Sequence, residues 1–96
     1  MPAEKKRILM VDDPAVMRSL LRMVIAREPV LEVAGTAGQG EAGLDRAASL
    51  RPNLALLDVE MPGMGGLATL KALRERGETM PVVMCSAVTQ RGATVS

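Results

Sequence analysis

The chain has 96 residues, of which 48% are hydrophobic and 24% are charged, and its formal net charge is +1. This balance is typical of one small folded domain, and its interspersed charges give no basic field that would favour nucleic acid or an anionic membrane as a partner. Phe, Tyr and Trp are absent, which excludes the stacking of bases on aromatic side chains.

Cysteine usage and the apolar runs indicate the compartment. The single cysteine, Cys85, has no partner for an internal disulfide, as is usual in a reducing cytosol. The early apolar run at residues 8–11 is too short for a signal sequence or a membrane span. We therefore expect a cytoplasmic protein.

The N-terminal third of the chain predicts a strand, a helix and a second strand. Residues 8–11 form an apolar run that Asp12 stops, and Pro14 suits the first position of a helix. Apolar residues then recur at helical spacing until Pro29 forces a stop. Residues 31–34 form the second short strand, so strand and helix alternate from the start.

The rest of the chain repeats this alternation. A second helical pattern precedes the apolar run at residues 54–57, which Asp58 stops. A third helical pattern precedes the run at residues 82–85, which Ser86 stops. The order is βαβαβαβ, and its strands are continuously apolar. It therefore predicts an α/β fold, with a parallel sheet covered by helices on both faces.

Polar residues come directly after the strands, and they are Asp12, Asp13, Asp58 and Ser86. Right-handed crossovers bring the carboxyl ends of parallel strands to one edge, where ligands bind, so we expect these residues to converge. Each acid taken singly is better explained as a helix cap or a turn residue. Together, three carboxylates in one small space repel unless a cation compensates, and Mg²⁺ prefers such oxygen ligands. Their joint occurrence favours a metal site that handles phosphoryl groups.

The segments ILMVDDPAVMRSLL, LLDVEMPGMGG and VVMCSAVT resemble the receiver domain of two-component response regulators, over essentially the whole chain. The resemblance implies a single receiver domain over residues 1–96, with a flavodoxin-like, three-layer fold and strand order 2-1-3-4-5. It implies that Asp58 is the phosphoacceptor and that the Ser86 hydroxyl acts as the switch. The Mg²⁺ ligands that it implies are Asp13 directly, Asp12 through water, Asp58, and the backbone carbonyl of Glu60.

The resemblance also implies a function and partners. Asp58 would take a phosphoryl group from a phosphohistidine of a sensor histidine kinase or phosphotransfer protein and so switch a partner or effector. The domain would not be an enzyme beyond self-catalysed phosphotransfer and slow autodephosphorylation. Within the family, DVEMPGMGGL and VVMCSAVTQRGA look most like the receiver of the chemotaxis methylesterase.

One departure from the family pattern concerns the C-terminus. That pattern continues with a fifth strand, whose lysine contacts the phosphoryl group, and a last helix; no residue here matches that lysine. We therefore expect a receiver truncated after strand 4. The exposed apolar edge of that strand favours a homodimer or a swapped assembly, or else the chain is a fragment of a longer protein. The alternative function is a truncated interaction or dimerisation module that is not phosphorylated.

Two further patterns suggest other chemistry. Residues 38–43, GQGEAG, match the G-x-G-x-x-G of dinucleotide-binding folds, with Asp58 at a suitable distance beyond them. The chain is too short for a full dinucleotide-binding domain, and this interpretation leaves Asp12, Asp13 and Ser86 unexplained, so it remains a remote alternative. Cys85 has no histidine to act as a base, which favours a buried strand cysteine over a thiol nucleophile.

Overall fold

The computed structural model describes residues 5–12, 15–59, 61, 63–85 and 93–95. The helices and strands, in chain order, are β1 (Lys6–Val11), α1 (Ala15–Ala26), β2 (Leu31–Ala37), α2 (Gly40–Leu50), β3 (Leu54–Asp58), α3 (Gly66–Glu75), β4 (Val82–Cys85) and β5 (Ala93–Val95). The alternation of strand and helix that the apolar runs predict is confirmed from β1 to β4. No helix in the described part of the chain has the length and apolar character needed to cross a membrane.

The strands form one sheet in the order β2-β1-β3-β4-β5. β1 lies between β2 and β3 and is parallel to both, and β3 is parallel to β4. The predicted parallel sheet and its flavodoxin-like strand order are therefore confirmed. Since each of these four strands runs in the same direction, their carboxyl ends share one edge of the sheet.

β5 corrects the expectation that the sheet ends with β4 as an exposed edge. Residues 93–95 pair antiparallel with β4, so that Ala93 lies opposite Cys85 and Val95 lies opposite Val83. Seven residues separate the two strands in the chain, which is enough for an antiparallel return but too few for a parallel crossover. β5 thus occupies the fifth position of the order with the opposite direction from the strand that the resemblance implies, and its sequence Ala-Thr-Val carries no lysine.

The two faces of the sheet are covered unequally. On one face, α2 and α3 cover a core that includes Ala55, Leu57 and Val82, which are fully buried. On the other face, α1 packs on β2, and a smaller core forms around Ile8, Met10 and Ile25. Two further residues on that face, Leu54 and Leu56 of β3, are only half-buried.

Glycines of the GQGEAG segment allow α2 to lie close to its neighbours. A Cβ at Gly43 would lie 2.9 Å from both Cγ atoms of Val11, and a Cβ at Gly40 would overlap the Thr69 hydroxyl of α3. Both glycines are buried and lie within α2 rather than in a loop before it. Close packing of helix on strand and helix on helix therefore explains these glycines, and the dinucleotide interpretation is not needed for them.

Candidate functional site

Two acids end adjacent parallel strands at the carboxyl edge of the sheet. Asp12 directly follows β1, and its backbone N–H donates to the carbonyl of Ala37, over 3.0 Å, which continues the ladder between β1 and β2. Asp58 is the last residue of β3. Val11 lies opposite Leu57 in the parallel register, so the next residues along each strand, Asp12 and Asp58, are neighbours across the two strands. The predicted convergence of these two acids is confirmed.

Both acids are buried, which is unusual for carboxylates. Asp12 is 3% exposed and Asp58 is 4% exposed. Buried carboxylates are rarely found without partners or a cation, because removing a charge from water is unfavourable. The depth of this pair therefore distinguishes it from ordinary acids at strand ends, which lie in solvent.

Cys85 shows that the two acids share one electrostatic environment. It is the last residue of β4 and lies opposite Asp58 in the register of the sheet. Burial raises the pKa of the Cys85 thiol, and the negative charges of Asp58 and Asp12 raise it further. The thiol is therefore neutral near pH 7. Cys85 ends a strand, as the sequence predicts, but it is half-buried rather than buried.

The backbone just after Asp58 is held from two directions. The Val59 N–H donates to the Cys85 carbonyl over 2.8 Å, which links this peptide to β4. The Val59 carbonyl accepts a hydrogen bond of 3.0 Å from the N–H of Gly66, the first residue of α3. These two bonds fix the end of β3 between a neighbouring strand and the start of a helix.

The start of α3 is itself held by a buried hydroxyl. Thr69 is 0% exposed, and its Oγ1 donates to the carbonyl of Gly65 over 2.8 Å. Gly65 is the residue before the helix and has extended backbone angles that any residue adopts. The first turn of α3 is thereby tied to the residue that precedes it.

The described donors suit a hard cation. Asp12 and Asp58 offer carboxylate oxygens, and the chain contains no histidine, so the donor set fits Mg²⁺ rather than zinc. Within residues that the structure describes, no group of three or more acidic, Cys or His side chains is placed to hold a metal ion. Asp13, Glu60 and Ser86 lie outside the described residues, and their roles stay predictions.

Sequence reasoning missed two features of this site. The proximity of Cys85 to both acids follows from strand register, which apolar runs alone do not specify. The contact of Gly66 with the end of β3 was also missed, because the Gly-Gly pair at 65–66 indicates only a turn. The only indication in the sequence is where this glycine pair lies. It stands at the start of a predicted helix and only a few residues after Asp58.

A parallel sheet of this order, with two buried acids after β1 and β3, defines a flavodoxin-like α/β module with an acidic site at its carboxyl edge. The sequence matches the response regulator receiver domain over residues 8–96. The chain belongs to this family, whose members act as regulatory modules in two-component response regulators.

Solved structures agree with this assignment. The response regulator domain of CheB from Thermotoga maritima superimposes with a TM-score of 0.83 at 35% identity, covering 95% of this chain and 67% of that one. The receiver domain of the putative response regulator NarL from Mycobacterium tuberculosis gives a TM-score of 0.84 at 30% identity, covering 93% of this chain and 72% of that one.

Curated relatives share this domain within longer proteins. A protein-glutamate methylesterase/protein-glutamine glutaminase from Nocardioides sp. is 42% identical over 90 residues, which are 94% of this chain and 25% of that protein. A protein of the same name from Geobacillus kaustophilus is 46% identical over 87 residues, or 91% of this chain and 25% of that protein. The chain thus spans about a quarter of the length of these relatives.

Proposed function

We propose that the domain is the phosphoacceptor of a two-component phosphorelay, and that Asp58 takes a phosphoryl group from the phosphohistidine of a sensor histidine kinase or phosphotransfer protein. The observation that supports this most directly is the burial of Asp12 and Asp58 side by side at the ends of β1 and β3. An oxygen of the Asp58 carboxylate would attack phosphorus, the P–N bond would break, and its electron pair would return to the donor imidazole.

The chain's own residues position this reaction. The parallel register holds Asp12 next to Asp58, and the bonds of Val59 to Cys85 and Gly66 fix the backbone from which the nucleophile projects. Positioning of this kind accounts for much of catalysis in phosphoryl transfer, because little covalent chemistry is left to the protein.

The acids fit Mg²⁺, and Asp12, Asp13, Asp58 and the carbonyl of Glu60 would hold it. When bound, the ion supplies positive charge that offsets the clustered carboxylates and the charge on the transferring oxygens. Asp12 would act through water, and Asp13 would bind directly, as the resemblance implies.

The output of the domain would depend on Ser86 and on an effector. Ser86 comes directly after β4, and its hydroxyl would donate a hydrogen bond to a phosphoryl oxygen on Asp58. The names of the relatives support a methylesterase domain as the effector, since they match over most of this chain. The domain itself would then be a regulator, with no activity beyond its own phosphorylation and slow dephosphorylation.

Intact mass spectrometry tests the phosphoacceptor role. The protein is incubated with Mg²⁺ and acetyl phosphate, and we expect one added phosphate that Asp58→Asn abolishes. The matched control is Asp45→Asn, because Asp45 lies on the exposed side of α2 and should retain the adduct. No adduct on the unmodified protein, or an adduct that survives in Asp58→Asn, would contradict the proposal.

A dimerisation module is the second candidate, and the sheet edge favours it. β5 has only three residues and is the last strand in the order, so its outer side is an edge at which another strand can pair. A homodimer would form by edge pairing or by exchange of β5 between two copies. Light scattering over a range of concentrations tests this, and a monomer throughout would contradict it.

A further inference from the structure

We propose that Gly66 is a positioning residue for the phosphoacceptor, because its lack of a side chain lets the first residue of α3 rest directly on the backbone of Asp58. The inference deepens the proposed function and rests on it. It assigns a role to a residue at which the sequence indicates only a turn.

The contact between Gly66 and the end of β3 leaves no room for a methyl group. A Cβ at Gly66 would overlap the carbonyl oxygen of Asp58, and it would lie 2.9 Å from the carbonyl carbon of Asp58 and 2.8 Å from the Cα of Val59. All three are backbone atoms, which cannot rotate away as the end of a flexible side chain does. A side chain at this position therefore requires either α3 or the Asp58–Val59 peptide to move.

The surroundings direct that movement towards Asp58. α3 packs against α2, and Thr69 lies so close to Gly40 of α2 that a Cβ at Gly40 would overlap the Thr69 hydroxyl. In the Asp58–Val59 peptide, the Val59 N–H donates to the carbonyl of Cys85 at the end of β4. The helix packs along α2, whereas this peptide lies at the end of β3, so we expect the peptide to shift.

A shift of this peptide changes the reacting geometry. The Asp58 side chain projects from the displaced backbone, and its alignment with Asp12 depends on the register of β1 and β3. A misplacement of about 1 Å in a reacting group can lower a rate by about 100-fold. A change of position alone leaves the recognition of a small phosphodonor unaltered, so the loss should fall on the maximal rate.

The neighbouring glycine provides a matched control. A Cβ at Gly65 would lie 3.6 Å from the Val59 carbonyl oxygen, which is an ordinary contact, and its φ of −72° suits alanine. A second control is Gly35 of β2, where a Cβ would meet Cδ1 of Leu50, the end of a flexible side chain. Both substitutions add one methyl group, and neither presses on the backbone of Asp58.

The experiment measures Asp58 phosphorylation at saturating Mg²⁺ while the acetyl phosphate concentration is varied. Gly66→Ala should lower the maximal rate by about 10- to 100-fold and leave the half-saturating concentration unchanged, whereas Gly65→Ala and Gly35→Ala should stay within about twofold of the unmodified protein. An unchanged maximal rate in Gly66→Ala, or a loss confined to the half-saturating concentration, would overturn the inference.

Hydrogen exchange separates this inference from the proposed function. Without any phosphodonor, Gly66→Ala should speed the exchange of the Val59 amide at least about tenfold relative to the Leu9 amide of β1, because its bond to Cys85 is disturbed. Equal protection of Val59 in the unmodified protein and the variant would refute the positioning role. If the unmodified protein takes no phosphate, the proposed function fails, while this measurement still decides whether Gly66 positions the backbone of Asp58.

A second variant covers the case in which Gly66→Ala does not fold, as judged by circular dichroism. Thr69→Val removes the side-chain hydrogen bond to the Gly65 carbonyl, which keeps its bond from the Thr69 backbone N–H, and adds no bulk, so the first turn of α3, which carries Gly66, should loosen. We expect the same selective exchange at Val59 and a severalfold lower maximal rate. Unchanged values of both would overturn the inference.

Discussion

Replacing Leu57 by alanine tests whether the core beneath the site stabilises the fold as the burial indicates. Leu57 is 0% exposed, lies on the face covered by α2 and α3, and directly precedes Asp58. The substitution removes about three methylene equivalents at roughly 0.8 kcal/mol each. A cavity that cannot collapse fully adds to this, which places the loss at about 3 to 4 kcal/mol.

Such a loss is a large part of the total stability. A domain of 96 residues has a free energy of unfolding of about 5 to 14 kcal/mol, from typical values per residue. For a domain of this size, each 1 kcal/mol shifts the melting temperature by about 4 to 8 °C. We therefore expect Leu57→Ala to melt at least about 10 °C below the unmodified protein.

The next residue back along β3 is the matched control. Leu56 points to the opposite face, where it is only half-buried, so Leu56→Ala removes the same atoms from a less enclosed site. Its loss should be about half that of Leu57→Ala, because partly exposed atoms contribute less transfer free energy. Urea unfolding followed by circular dichroism measures both. Equal losses of stability in the two variants would contradict the unequal covering of the two sheet faces.

Three other predictions concern the site and the sheet edge. Mg²⁺ at about 100 times its dissociation constant should stabilise the protein by about 2.7 kcal/mol. In thermal melts, Asp12→Asn should reduce this stabilisation by Mg²⁺. A variant that is stabilised by Mg²⁺ as much as the unmodified protein would count against Asp12 as a ligand. The charge of Asp58 raises the pKa of Cys85, so Asp58→Asn lowers that pKa, increases the thiolate fraction at pH 8 and speeds alkylation by iodoacetamide. An unchanged alkylation rate would contradict the shared environment of these groups. Deleting residues 93–96 exposes the edge of β4 and should increase self-association in light scattering, and a variant that stays monomeric would contradict this.

The sequence predicts the central sheet because its apolar runs are continuous and clearly interrupted. Strands β1, β3 and β4 each end at or next to a polar residue in the sequence, so the shared edge and the meeting of Asp12 with Asp58 follow from topology alone. The same reasoning fails for β5. A segment of three residues carries no periodicity, and its pairing depends on an available edge close by in space, which local sequence does not encode.

Contacts between elements are the other part that the sequence leaves undetermined. A glycine in a turn and a glycine in contact with a strand end look the same in a sequence, and only the distances distinguish Gly65 from Gly66. Likewise, the pairing of Asp58 with Cys85 depends on a register that a shift of one residue would abolish.

The glycines that match a dinucleotide motif are connected to Asp58 through packing. Gly40 lets α2 approach Thr69 of α3, and the Gly66 N–H at the start of α3 donates to the carbonyl of Val59, just after β3. The order of contacts therefore runs from α2 through α3 to the backbone of Asp58. In this fold the small residues of α2 set helix positions next to the acidic site. We therefore expect a pattern that suggests phosphate binding by a loop to help position the Asp58 carboxylate instead.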